Sequence, residues 1–172
     1  MKYKLLVLDI DGTVTNSKKE VTEKTKNAIL DLQKRGIPVA IASGRAPQGI
    51  YSVAKALELD KFGSYIMPFN GARIINFKTE ECIYSKTLPL HLPARLWRDA
   101  VENGIGIVTY DEKEVIAGTE LDKYILLEAK IAGMPVVYHE NFNTYVDFPV
   151  NKCLMTGEPE DLEALEPVFA QK

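Results

Sequence analysis

Two carboxylates two residues apart stand at the end of an apolar run, in Asp9-Ile10-Asp11-Gly12-Thr13. Side chains at i and i+2 of an extended chain point the same way, so Asp9 and Asp11 can face one ligand. Gly12 lets the backbone turn sharply and come close to that ligand. Exposed N–H groups in such a loop, here those of Ile10, Gly12 and Thr13, can hold phosphate oxygens. Carboxylates repel a phosphate, so a phosphate bound here needs a cation. Mg²⁺ suits a site of oxygen donors that keeps several waters and takes the phosphate itself as a ligand. Asp9 can then attack as a nucleophile to give an aspartyl-phosphate. Asp11 can protonate the leaving oxygen and afterwards activate water. These roles require Asp9 ionised and Asp11 able to hold a proton, and a dry, phosphate-crowded pocket would raise the Asp11 pKa. The bland alternative is an Asp-Gly turn with two solvated carboxylates. At ordinary residue frequencies the five-residue pattern arises by chance in such a chain only about once in a few hundred times.

The elements around this segment must bring other polar groups to it. Leu5-Leu6-Val7-Leu8 reads as a strand buried on both faces, as in a parallel sheet covered by helices. A helix is expected from Thr22, its N-cap, to Arg35, with Glu23 in its first turn, Gly36 at its end and Ala28, Ile29 and Leu32 on its apolar face. Residues 38–42 form a second buried strand, Pro47 opens a second helix carrying Ile50, Val53, Ala54 and Leu57, and residues 64–67 form a third strand. Strand, helix, strand, helix, strand is a parallel α/β sheet with right-handed crossovers. Ligands of such sheets sit at the carboxyl ends of the strands. Asp9 and Asp11, then Ser43-Gly44-Arg45, then Asn70-Gly71 follow the three strands, so three polar clusters converge on one edge.

Beyond Asn70 the pattern becomes α+β. A hairpin is expected over 72–77 and 82–86, a helix near 93–103, a second hairpin over 105–110 and 114–117, and a helix capped by Thr119 running to Ala132. Strands are expected at 136–139, 145–148 and 152–155, and a last helix near Glu160.

The chain has 172 residues, 46% hydrophobic and 26% charged, with a formal net charge of −3, which is the make-up of a globular protein. This balance argues against a nucleic-acid partner, which requires clustered positive charge. The densest basic stretch, Lys18 to Lys26, also holds Glu20 and Glu23 and reads as a solvated helix face. No segment has the length of a membrane span and the N-terminal apolar run is too short for a signal peptide, so the expected location is cytoplasmic without a membrane partner. Cys82 and Cys153 match no metal-ligand spacing and are expected to be reduced.

Together these residues resemble the haloacid dehalogenase-type (HAD) hydrolase superfamily. Asp-Ile-Asp-Gly-Thr-Val-Thr resembles its first motif, and Ser43-Gly44-Arg45 its second, in which a Ser or Thr hydroxyl binds the transferring phosphate. Pro68-Phe69-Asn70-Gly71-Ala72 resembles the Cof-type subfamily, which carries a large α+β cap. The resemblance spans the chain and implies an α/β fold: the N-terminal half of a Rossmann-like core over residues 1–80 and an inserted α+β cap over 81–172. It implies a Mg²⁺-dependent phosphatase of small phosphorylated metabolites. Asp9 is then nucleophile and Mg²⁺ ligand. Asp11 is acid/base and a Mg²⁺ ligand through its backbone carbonyl. Ser43 and Gly44 contact phosphate, and Arg45 and Asn70 face the substrate. Alternatives are an interdomain or surface salt bridge for Arg45 and a simple turn for Asn70.

The superfamily also uses a lysine that neutralises charge beside the nucleophile and an acidic Gly-Asp-x-x-x-Asp-type loop that completes the metal site. Neither is found: Lys152 and Gly157-Glu158-Pro159-Glu160-Asp161 lie in what should be the cap. The expectation is a chain truncated within its cap, inactive by itself although its parent is active. The competing reading is a HAD-like binding or regulatory module retired from catalysis. A receiver domain is disfavoured by the order Asp-x-Asp-Gly-Thr, and a nucleotide-binding fold by the absence of its glycine loops.

Overall fold

The computed structural model describes residues 3–170. The chain divides into two compact units between Lys86 and Thr87. The first unit holds a five-stranded sheet whose spatial order equals its sequence order: β1 (Leu6–Asp9), β2 (Val39–Ala42), β3 (Tyr65–Met67), β4 (Arg73–Asn76) and β5 (Cys82–Ser85). β1, β2 and β3 are parallel, while β4 and β5 are antiparallel.

The crossovers are α1 (Glu23–Lys34), then α2 (Gln48–Ala56) with the short α3 (Leu59–Phe62). Thr22 caps α1, its side chain accepting the Thr25 N–H at 3.2 Å. Ile29 of α1 and Ile50, Val53, Ala54 and Leu57 of α2 share one core cluster with Val39, Ile41 and Ile66. Both helices therefore cover the same face of the sheet, as right-handed crossovers in sequential strand order require. Within this chain β1 stands at one side of the sheet, with Leu6 and Leu8 turned to the core and Val7 48% exposed.

The inner face of α1 also differs from the expected Ala28, Ile29 and Leu32. Ala28 is exposed, and Gln33 is buried beside Ile29. Gln33 is tolerated there because its amide is satisfied. Its Nε2 donates to the Leu57 carbonyl at 2.9 Å, and its Oε1 accepts from Ser64 Oγ at 2.7 Å. Ser64 Oγ in turn accepts the Val39 N–H at 3.0 Å. This network ties α1, the end of α2, and the starts of β2 and β3 together at the end of the sheet opposite Asp9.

The hairpin expected over 72–86 is β4–β5, closed by the Asn76 N–H to the Glu81 carbonyl at 2.9 Å. The boundary expected between residues 80 and 81 falls in its turn. Because β5 pairs with β4, the hairpin stays whole in the first unit.

The second unit has a four-stranded sheet of order β8-β7-β6-β9, from β6 (Gly106–Tyr110), β7 (Val115–Ala117), β8 (Val136–Tyr138) and β9 (Leu154–Thr156). Its helices are α4 (Leu92–Glu102), α5 (Lys123–Ala132), α6 (Phe142–Tyr145) and α7 (Pro159–Phe169). The cap of α5 is Asp122, which accepts the Tyr124 and Ile125 N–H groups; Thr119 instead accepts the Ile107 N–H. No strand forms at 145–148, because fully buried Phe142 anchors the helical turn α6 there. Gly118 accommodates that anchor: a Cβ on it would stand 2.8 Å from both the Phe142 and Trp97 rings. No helix among the described residues is long and apolar enough to cross a membrane.

Two outcomes follow. Ser64→Ala orphans the Val39 N–H and one face of Gln33, and is expected to lower stability by about 1–3 kcal/mol in chemical denaturation. Both cysteines are free; Cys82 is exposed, while burial pushes the Cys153 thiol up to about 11. Iodoacetamide at pH 8, followed by peptide mass analysis, should label Cys82 well before Cys153.

Candidate active site

Parallel pairing in register places the ends of three strands in one row: Asp9 lies opposite Ala42, and Ala42 opposite Met67. The segments that follow, 10–15, 43–46 and 68–71, therefore leave from one edge. The first is a tight loop gathered on one carbonyl. Ile10 O accepts the N–H groups of Thr13, Val14 and Thr15 and the Thr15 hydroxyl, while the Ile10 and Val14 side chains are buried. Gly12 adopts φ +78°, a conformation that side chains disfavour. Asp9, Asp11, Gly12 and Thr13 are thereby left exposed. Of the three N–H groups expected to face phosphate, that of Thr13 already closes this turn, at 3.3 Å from Ile10 O.

The other two loops are stitched to each other through the backbone. Ser43 N donates to Met67 O, Asn70 N to Ser43 O and Phe69 N to Arg45 O, each at 3.0 Å. Phe69 and Asn70 are held at φ +54° and +56°. Left-handed conformations of this kind cost of order 1 kcal/mol or more for a bulky residue and persist only where the surroundings enforce them. Buried Phe69 and the two loop-to-loop bonds supply that enforcement and leave Asn70 exposed. Ser43 is 7% exposed, and its Oγ accepts the Arg45 N–H at 3.3 Å, which leaves the hydroxyl proton to donate elsewhere. Asp9, Asp11, Ser43, Gly44, Arg45 and Asn70 thus all belong to the loops of one edge.

The residues rejected as completing motifs lie in the second unit. Lys152 is half-buried there, and desolvation holds its ammonium below the usual lysine value. Glu158 accepts from the Tyr124 hydroxyl at 2.6 Å and pairs with Lys123. His139 pairs with Glu114 and stacks on Tyr145, with ring centroids 3.7 Å apart; Tyr110 is buried and donates to Glu128 at 2.7 Å. Among the described residues no group of three His, Cys, Asp or Glu side chains gathers as a metal cage. At the strand-end edge the exposed Asp9 carboxylate and the backbone carbonyl of exposed Asp11 are the oxygen donors that would hold a cation. Such a donor set fits Mg²⁺, which is held by one or two carboxylates with water and phosphate oxygens as the other ligands.

The electrostatics of Asp11 depart from expectation. Its carboxylate is gripped by two cations. Lys19 Nζ lies 2.7 Å from Oδ1, and Arg45 Nη2 lies 2.8 and 2.9 Å from the two oxygens. The Lys19 hydrogen bond, with the Arg45 bond and both positive charges, outweighs partial desolvation and holds the Asp11 carboxyl below the usual carboxylate range. Its neighbours here are cations, so the shift is downward; the raised value belongs to a pocket crowded by phosphate. Lys19 is the residue the sequence reading missed. Lys18 and Lys19 lie in a loop, not on a helix face. That loop is shaped by Asn16, whose Oδ1 accepts the Lys18 and Glu20 N–H groups and whose carbonyl accepts that of Lys19. A carboxyl with a depressed pKa contributes stability above its ordinary value and loses it as pH falls through the lowered value. Lys19→Met should therefore raise the Asp11 pKa, read by carboxyl ¹³C NMR titration in metal-free buffer, and move this loss to higher pH.

Comparison with known proteins gives a consistent answer. Residues 6–172 match the family profile of the haloacid dehalogenase-like hydrolases. A crystal structure of a haloacid dehalogenase-like hydrolase from Bacteroides thetaiotaomicron superposes with TM-score 0.88 at 37% identity, over 98% of this chain and 64% of that one. Among curated relatives, "Putative phosphatase YkrA" of Bacillus subtilis is 31% identical over 86% of this chain and 54% of its own length. "Putative phosphatase YxeH" of the same organism is 24% identical over 93% and 60%. The chain thus spans about three-fifths of the length of such relatives. With this profile match and the Asp9–Asp11, Ser43 and Asn70 loops on one sheet edge, the chain belongs to the haloacid dehalogenase-like hydrolase family.

Proposed function

We propose that this chain forms the nucleophile-bearing part of a Mg²⁺-dependent phosphatase of small phosphorylated metabolites, with the second unit as its cap. The observation that carries the reading is the in-register row Asp9–Ala42–Met67, which brings the Asp9–Asp11 loop and the Ser43 hydroxyl to one edge. Phosphatase-named relatives that cover most of the chain support it.

On this reading Asp9 Oδ attacks phosphorus, and the bond from phosphorus to the leaving oxygen breaks as Asp11 delivers a proton to that oxygen. Asp11 then takes a proton from a water whose oxygen attacks the aspartyl-phosphate, freeing Asp9 and inorganic phosphate. Before it can act as acid, Asp11 must give up Lys19 and one of its two hydrogen bonds to Arg45 in exchange for a proton, while the other Arg45 bond stays. Ser43 donates its free hydroxyl proton to a phosphoryl oxygen, and the N–H groups of Ile10, Gly12 and Gly44 donate to the others. Arg45 and Asn70 face the substrate. When bound at Asp9 and Asp11, Mg²⁺ supplies charge that offsets the repulsion between carboxylate and phosphate.

The test is turnover of p-nitrophenyl phosphate with and without Mg²⁺. Mg²⁺-dependent activity is expected, and Asp9→Asn should lower kcat by at least about 10³-fold, as loss of a covalent nucleophile does. Full activity in Asp9→Asn would sink the mechanism. Phosphate binding without any turnover in the unsubstituted protein would favour the retired binding module instead.

A further inference from the structure

Lys19 has no role in the scheme above, yet its geometry suits one. The Thr15–Val21 loop that carries it is fixed at both ends, since Thr15 bridges to Asp11 on one side and to Val21 on the other. Asn16 organises its interior and accepts the Glu20 N–H at 3.0 Å. Lys19 sits at the tip with φ +62°, a strained conformation for a residue with a side chain, so the loop fixes where its side chain starts. From there the ammonium returns across the loop to Asp11 Oδ1 at 2.7 Å.

Arg45 already holds both oxygens of Asp11. It is anchored by Nη1 to the Gly49 carbonyl at 3.2 Å and is only 21% exposed. Lys19 is the second cation on the same carboxylate, and it is 67% exposed. An ion pair that exposed contributes little and is easily given up. Lys19 is therefore a surplus, accessible cation, aimed at the side of the site where Asp11 works.

We infer that Lys19 is a specificity residue that binds an anionic group on the leaving portion of the substrate. The inference rests on the phosphatase reading, because it is the acid role of Asp11 that locates the leaving oxygen. That oxygen lies within hydrogen-bond reach of Asp11, so the Lys19 ammonium stands within about 5–6 Å of it. This distance matches a carboxylate or second phosphate two or three bonds beyond the ester oxygen. The substrate class is a small phosphomonoester with a second acidic group close to the phosphate. The contact is made by trading one exposed carboxylate, Asp11, for another anion, so Asp11 is released from one of its two cations as the substrate arrives.

The test compares 2-phosphoglycolate with ethyl phosphate, two esters of similar size that differ in the second acidic group. kcat/KM is measured with Mg²⁺ in the unsubstituted protein and in Lys19→Met, Lys19→Arg and Lys18→Met. Kd for both esters is measured by calorimetry in the Asp9→Asn background, where no turnover intervenes. The unsubstituted protein should prefer 2-phosphoglycolate. Lys19→Met should erase about tenfold of that preference, mostly through KM, read as the ratio of the two esters within each variant so that any change at Asp11 common to both esters cancels. Lys19→Arg should restore most of it. Lys18→Met removes the same formal charge one residue away and should leave the preference intact, which separates a contact from a general field. Equal preference in the unsubstituted protein and Lys19→Met, in both turnover and Kd, would overturn the inference while leaving the phosphatase reading standing. Absence of Mg²⁺-dependent turnover of either ester by the unsubstituted protein would overturn that reading and this inference with it.

Discussion

The register of three parallel strands is the constraint on which the rest of the structure depends. Asp9, Ala42 and Met67 stand level, so the residues that follow each of them emerge together. A slip of one residue in any pair would turn that strand's side chains to the opposite face and carry its loop out of line with the others. The register is protected from two sides. On the helix-covered face, Leu8, Ile41 and Ile66 alternate into one core cluster with α1 and α2. At the far end, the Gln33–Ser64–Val39 network fixes where β2 and β3 begin. A buried polar network of this kind is specific in a way apolar packing is not, since a misplaced partner leaves a donor unsatisfied. Geometry at the chemical edge is thus set partly by hydrogen bonds at the opposite edge.

What the sequence disclosed follows from which interactions are local. The apolar runs of the three parallel strands, the Thr22 cap and the loops after each strand all depend on near neighbours in the chain, and they appear where expected. The failures are all non-local. Apolar composition does not say which face of β1 a helix will cover; sequential strand order put α1 and α2 on one side. Gln33 did not figure in the expected inner face of α1, since no local pattern announces that Ser64 and Leu57 will satisfy its amide. Tyr145-Val146-Asp147-Phe148 has the β-branched and aromatic content of a strand, but insertion of Phe142 into the core makes Tyr145 the end of a helical turn and leaves 146–148 irregular, a tertiary override of propensity. Thr119 was the expected cap, but the hydrogen bond from Ile107, a partner in another strand, took it away and Asp122 caps the helix instead.

Asp9, Asp11, Ser43, Gly44, Arg45 and Asn70 were legible because each is tied to a strand end. Lys19 was not, because what matters about it is a left-handed turn at the tip of a loop. Four charges in Lys18-Lys19-Glu20 and Glu23 read as solvated helix, and only the bonds made by Asn16 show that the first three lie in a loop instead.

Mechanically, the site has a stiff part and a part that can exchange partners. Ser43, Arg45 and Phe69-Asn70 are joined by backbone hydrogen bonds, are largely buried apart from Asn70, and store strain that their surroundings enforce. Asp11 and Lys19 are 41% and 67% exposed and meet through an ion pair in water. A phosphoryl group is a fixed tetrahedron, and its recognition gains from donors that do not move. An acid/base that alternates between proton, water and cation partners gains from the opposite. On the proposed mechanism the grip of Lys19 and Arg45 is therefore no obstacle to catalysis. The exposed Lys19 arm releases at little cost, and the anchored Arg45 arm keeps the Asp11 carboxylate aimed along the edge while its other partner changes.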